Sequence, residues 1–180
     1  MGKKWKRFII IFLCVIVFIS AVYLYGILRR GPLVGVFHEY GLHFKESPRV
    51  VSRKLHLDLG VKEGTTESLD GRSYYDVVTE VFGIDSLVHL CFFENQLSEI
   101  DISIPLGDST QVREKFDDCV TLIESLFGDE DGFSKDSIRY ITEKEYETCL
   151  AIRDSNGATG ASYKLSAREK SLEIVADYWW

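Results

Sequence analysis

His89 and Cys91 are the two side chains whose spacing best suits them to chemistry. They lie two residues apart in SLVHLCFF, a β-favouring run, and side chains at i and i+2 of a strand share a face. An imidazole and a thiol side by side could hold a metal ion or form a thiolate–imidazole nucleophile. The sequence supplies no third ligand or orienting group, so a packed or surface-facing pair is the simpler reading. His38-Glu39 followed by His43 invites comparison with the zinc-protease pattern H-E-x-x-H. Here the second histidine comes five positions after the first, not four, and Tyr40-Gly41 interrupts a helix. The two imidazoles would not share a helical face.

Other chemistries find less support. No G-x-S-x-G elbow occurs. Carboxylates such as Asp117-Asp118, Glu143 and Glu145 are numerous, but among 28 acidic residues spacing alone nominates no acid–base pair. Asp129-x-Asp131-Gly132 is similar to the opening of a calcium loop, yet the later ligands and closing Glu are missing. Gly157-Ala158-Thr159-Gly160 lacks the Lys and following helix of a phosphate loop. The reading is therefore non-enzymatic, with no cofactor and no metal. The alternative is a tethered enzyme or metal-binding domain using His89 and Cys91.

Binding is better served. Tyr178-Trp179-Trp180 is an aromatic run, and exposed aromatics are favoured interface anchors. Asp129, Glu130 and Asp131 form an acidic loop. These five residues, Asp129, Glu130, Asp131, Trp179 and Trp180, are the expected protein-binding surface. Charge narrows the partner. Six of the 21 Lys and Arg fall within the first 30 residues and no acid does, which leaves 15 basic against 28 acidic residues beyond, a net of −13. Such a domain is repelled by nucleic acid and favours a basic protein partner.

The elements that must position these residues follow from periodicity. Val50–Leu59 alternates with Leu55, Leu57 and Leu59 on one face, which predicts a strand. Ser73–Phe82, Ser86–Phe93 and Leu97–Ile104 predict an antiparallel meander. Asp108 or Ser109 caps a helix over Thr110–Phe127, whose Val112, Phe116, Cys119, Val120, Ile123 and Phe127 form one apolar stripe. Gly128 stops it. Tyr146–Arg153, Ala161–Leu165 and the stretch from Leu172 to Tyr178 supply further strands, with turn residues at 154–157. Cys119 on the helix stripe and Cys91 in a strand are read as small buried hydrophobes, with at most one disulfide, Cys91–Cys149 or Cys119–Cys149, as the alternative.

Residues 8–28 are 21 uncharged, mostly apolar positions between Lys3, Lys4, Lys6, Arg7 and Arg29, Arg30. A helix of that length covers about 31 Å, enough for a bilayer core of roughly 30 Å. The expected organisation is a basic cytoplasmic N-terminus (1–7), a transmembrane signal-anchor helix (8–28), a juxtamembrane segment (29–49) and an acidic extracytoplasmic domain (50–180). The expected fold class is α+β: a transmembrane helix, then a single domain with an antiparallel sheet and one long packing helix. Positive charge before the span orients the N-terminus to the cytoplasm of a single-pass cell-membrane protein. In general shape this is similar to envelope proteins that bind another protein, of inhibitor, immunity or envelope-assembly type, a likeness of architecture alone.

Overall fold

The computed structural model describes residues 12–21, 31–57, 59, 71–153 and 157–179. Two compact units divide the chain, Met1–Arg30 and Gly31–Trp180. In the first, the described helix α1 covers 12–21. Among the described residues no helix is long and apolar enough to cross a membrane. The expected fold class and its signal-anchor helix are corrected accordingly. The remainder of 8–28 lies outside the described residues, and the orientation and compartment inferred from a span lose that basis.

The second unit is built on one antiparallel sheet of eight strands with a long helix on one face. Its strands are β1 (Arg72–Val81), β2 (Ile84–Phe93), β3 (Gln96–Pro105), β4 (Phe133–Lys135), β5 (Arg139–Tyr140), β6 (Tyr146–Arg153), β7 (Gly160–Ala167) and β8 (Ser171–Trp179). They are ordered β1-β2-β3-β8-β7-β6-β4, and β5 also pairs with β6. Two meanders, β1–β3 and β6–β8, thus meet where β3 pairs with β8. Between them the chain leaves β3, runs along α3 (Ser109–Phe127), and re-enters the sheet at the far edge.

Helix α3 starts where Asp108 accepts hydrogen bonds from the Thr110 and Gln111 amides at 2.8 and 3.0 Å. Two donors that a helix start leaves open are thereby satisfied. All six stripe residues of α3 are buried. Phe116 meets Tyr146 edge-on at 4.7 Å between centroids, and Phe127 stacks on Tyr163 at 5.8 Å. From the sheet, Ile100, Ile102, Ile104, Leu172 and Ile174 complete the same core.

The segment before the sheet packs more closely than its irregular sequence suggests. Val34, Phe37, Leu42 and Phe44 are buried, and the Tyr163 hydroxyl donates to the Leu33 carbonyl at 2.6 Å. Pro48–Lys54 forms a short helix, α2, where the sequence predicts the start of a strand. Pro48 sits in its first turn, where the missing N–H costs nothing and the fixed φ suits a helix. Val51 and Leu55, one turn apart, are buried. Leu55 is the C-cap of α2, and neither Leu57 nor Leu59 belongs to a strand.

Removal of the Phe116 ring should show how far the core depends on α3. Phe116→Ala is expected to cost roughly 3–5 kcal/mol, the usual range for a buried aromatic. Urea unfolding followed by far-UV circular dichroism measures it, and a loss below about 1 kcal/mol would mean the helix is dispensable to the core.

Candidate functional site

Helix α3 covers one face of the sheet, and the other face carries the polar residues of each strand. Register sets them in rows. One row runs Asp76–His89–Asp101–Val175–Lys164–Cys149 across β1, β2, β3, β8, β7 and β6. The next runs Tyr74–Cys91–Glu99–Asp177–Ser162. In this second row Glu99 of β3 lies directly opposite Asp177 of β8, two carboxylates side by side.

The β3–β8 register is continuous from Glu99 to Pro105, and a bulge interrupts β3 on its other side, against β2. Cys91 pairs with Glu99 but Phe92 pairs with Leu97, so Ser98 is an extra residue on β3. The extra residue lets both Leu97 and Ile100 face the core although they are three apart, while Glu99 keeps the open-face alternation of Asp101 and Ser103. The Ser98 hydroxyl donates to the Cys91 carbonyl at 3.2 Å and lies 3.6 Å from the Cys91 sulfur. Bulge geometry and the cysteine are thereby tied together.

Glu99, Asp177 and Asp101 are all held above the usual carboxylate range. For Glu99 the first cause is burial, then repulsion from Asp177, opposed by attraction to Arg72. Burial and then Asp101 raise Asp177. Asp101 is raised by burial, with His89 opposing. Glu99 and Asp177 line a cleft of about 270 Å³ with Arg72, Phe93, Ser98, Tyr178 and Trp179. The aromatic wall is firmly seated. Phe44 stacks on Tyr178 at 5.6 Å, and the Lys45 ammonium lies 5.0 Å from the Tyr178 ring centroid. Trp179 passes so close to Gly160 that a Cβ there would sit 2.5 Å from the indole. A glycine is required at that position for the ring to lie across β7. Half-buried carboxylates beside aromatic rings make a setting suited to a cation.

The residues expected from sequence are distributed as follows. Trp179 is half-buried and belongs to the carboxylate cleft. Trp180 lies outside the described residues. Asp129, Glu130 and Asp131 are exposed in the turn after α3, and Glu130 and Asp131 line a separate cleft of about 260 Å³ beside Arg153. Both clefts border Tyr178, but the acidic loop and Trp179 do not line a common one. His89 and Cys91 share the open face as their spacing predicts, yet they do not pair with each other. His89 Nδ1 lies 2.5 Å from Asp76 Oδ1, while Cys91 is buried against Ser98. His38 and His43 each engage a backbone carbonyl, of Gly35 and Gly31, both at 3.1 Å.

Among the described residues no three His, Cys, Asp or Glu side chains are grouped to hold a metal ion. The cysteines are free thiols. Burial pushes Cys119 up to about 12 and raises Cys149, which leaves both as poor nucleophiles at neutral pH. Glu99, Asp101 and Asp177 were not singled out by sequence. The alternation of LSEIDISI and the spacing of Asp177 and Trp179 hold part of the signal. The contact between β3 and β8, 78 positions apart at Glu99 and Asp177, does not.

No protein-family model matches the chain, and no curated protein and no solved structure matches it.

The raised carboxylates make a pH-dependent prediction. A carboxyl group whose folded pKa exceeds its unfolded value stabilises the fold at low pH, and that contribution is lost as pH rises through the folded value. At pH 7 both Glu99 and Asp177 therefore weigh against stability. Glu99→Gln and Asp177→Asn are each expected to raise the thermal midpoint at pH 7. The gain should shrink as pH falls toward the ordinary carboxylate values of 4.5 and 3.8. Thermal melts across pH 4–8 test this, and variants less stable than the parent at pH 7 would contradict it.

Proposed function

We propose that Gly31–Trp180 is a non-enzymatic protein-binding module that receives a lysine or arginine side chain of a basic partner between Glu99, Asp177 and Trp179. The observation that carries the reading is the Glu99–Asp177 pair. Two like charges placed opposite each other and partly withdrawn from water oppose folding, and a cation between them relieves both penalties. Trp179 adds a ring face for the same cation. Arg72 offsets one of the charges from the side of β1. With Asp101 in the neighbouring row, the cleft keeps an excess of negative charge.

The wider field agrees in sign. A net of −13 over residues 31–180 draws basic surfaces in and turns nucleic acid away. Asp129, Glu130 and Asp131 act in this scheme by steering. Exposed and outside the Glu99–Asp177 cleft, they change the association rate and its salt dependence more than the final affinity.

Titration calorimetry of the full chain with lysine- and arginine-bearing peptides tests the proposal. Binding is expected in the micromolar range and weakened by added salt. Asp177→Asn and Trp179→Ala should each reduce affinity roughly ten-fold, about 1.4 kcal/mol. Alanine at Asp129, Glu130 and Asp131 together should reduce it less. Peptide binding that is indifferent to salt and to both cleft variants would refute the site.

A further inference from the structure

Strand β1 ends the sheet, and among the described residues nothing pairs with its outer edge. Its ten residues, RSYYDVVTEV, contain no proline or glycine, and its register with β2 runs without a bulge from Arg72 to Val81. Edges of this kind are usually shortened, bulged or interrupted, because they template pairing with another chain. On the open face β1 exposes large apolar side chains, with Tyr74 at 53% and Val78 at 67% of full accessibility.

We propose that β1 pairs antiparallel with β1 of a second copy of this chain, in the register that sets Asp76 opposite itself. The sequence of the strand is close to self-complementary in that register. Side chains directly opposite in an antiparallel pair lie on the same face, so a two-fold axis through Asp76 must match residues whose numbers sum to 152. Arg72 then faces Glu80, Ser73 faces Thr79, Tyr74 faces Val78, and Tyr75 faces Val77, each twice. These are an ion pair, a hydroxyl pair and two aromatic–β-branched pairs, all among the favourable cross-strand combinations. The apolar rings and methyls exposed at Tyr74 and Val78 cover one another.

Only the axis residue meets its like, and each Asp76 carboxylate is already engaged by the His89 beside it, at 2.5 Å. Other registers are poorer. Centring on Val77 puts Asp76 against Val78 and Tyr74 against Glu80. Centring on Val78 sets Asp76 against Glu80. Centring on Tyr74 does pair Arg72 with Asp76, but over five strand residues in place of nine. The favoured pairing joins two eight-stranded sheets into one and keeps both open faces on the same side. Each assembly then presents two carboxylate clefts together, although the pairing itself stands whether or not those clefts bind a cation.

Charge reversal tests the register and separates it from association through any other part of the chain. Sedimentation equilibrium of the full chain should give a dimer. Arg72→Glu and Glu80→Arg each convert two attractive contacts into two repulsive ones, and each should weaken self-association roughly ten-fold or more. Mixed in equal amounts, the two variants restore complementarity at both positions, and a one-to-one heterodimer of near parental affinity is expected. A monomeric parent overturns the proposal. So do single variants that self-associate as the parent does, or a mixture that stays monomeric.

Discussion

Everything specific about this molecule depends on the antiparallel pairing of β3 with β8. That contact joins two three-stranded meanders, each able to form locally, into one sheet wide enough to support α3. It places Ile100, Ile102 and Ile104 beside Ala176, Ile174 and Leu172 under the helix. On the reverse face the same register sets Glu99 against Asp177. One pairing therefore fixes the core and the cleft, because a pleated strand sends alternate side chains to opposite faces. A slip of one residue would bring the carboxylates into the core and the isoleucines into water. The burial of three isoleucines, at roughly 1.5–3 kcal/mol each, outweighs the repulsion between partly solvated carboxylates.

That balance explains how an unfavourable charge arrangement persists on a stable framework. Burial dominates the upward shift of Glu99, Asp101 and Asp177, with the neighbouring acids second. Glu99 and Asp177 are partly withdrawn from water in the cleft they line. Replacing either member of the opposed pair with its amide would remove the repulsion without altering the pleat. Surface acids needed only for solubility have no reason to be stacked in register across the sheet centre. Lys135–Glu124 and Lys144–Glu169, by contrast, are ordinary exposed ion pairs at 2.7 and 2.9 Å, of little consequence for stability.

Local order was largely legible in the sequence, and long-range order was not. The stripe of α3 and its Asp108 cap could be read because a helix repeats within a few residues. β2 and β3 could be read because their branched residues alternate between turns. The α2 segment misled because the leucines at 55, 57 and 59 imitate a strand, while Ser47-Pro48 marked a helix start. The bulge at Ser98 was invisible, since period-two alternation across Leu97–Ile104 assigns Leu97 to the wrong face. Residues 8–28 read as a span by length and hydropathy, whereas among the described residues no helix is long and apolar enough to cross a membrane. Of the expected surface, Trp179 joins the cleft. Its carboxylate neighbours come from a strand far away in sequence, so no local pattern could have named them.

The two sides of β1 tie cleft and edge together. Arg72 stands at its first position and lines the cleft, where its charge attracts Glu99. On the proposed pairing the same guanidinium faces Glu80 of the second copy, so one charge would serve both surfaces. Drawing the guanidinium toward an acid across the edge leaves Glu99 less compensated, and a less compensated Glu99 attracts a cation more strongly. Linkage would make the effect reciprocal: a cation held at Glu99 and Asp177 would repel Arg72 and favour its pairing across the edge. The coupling needs no backbone movement, only a side chain with two alternative acidic neighbours, and its size is bounded by the modest worth of partly exposed charge pairs. If both proposals hold, edge pairing and cation binding reinforce each other through one arginine.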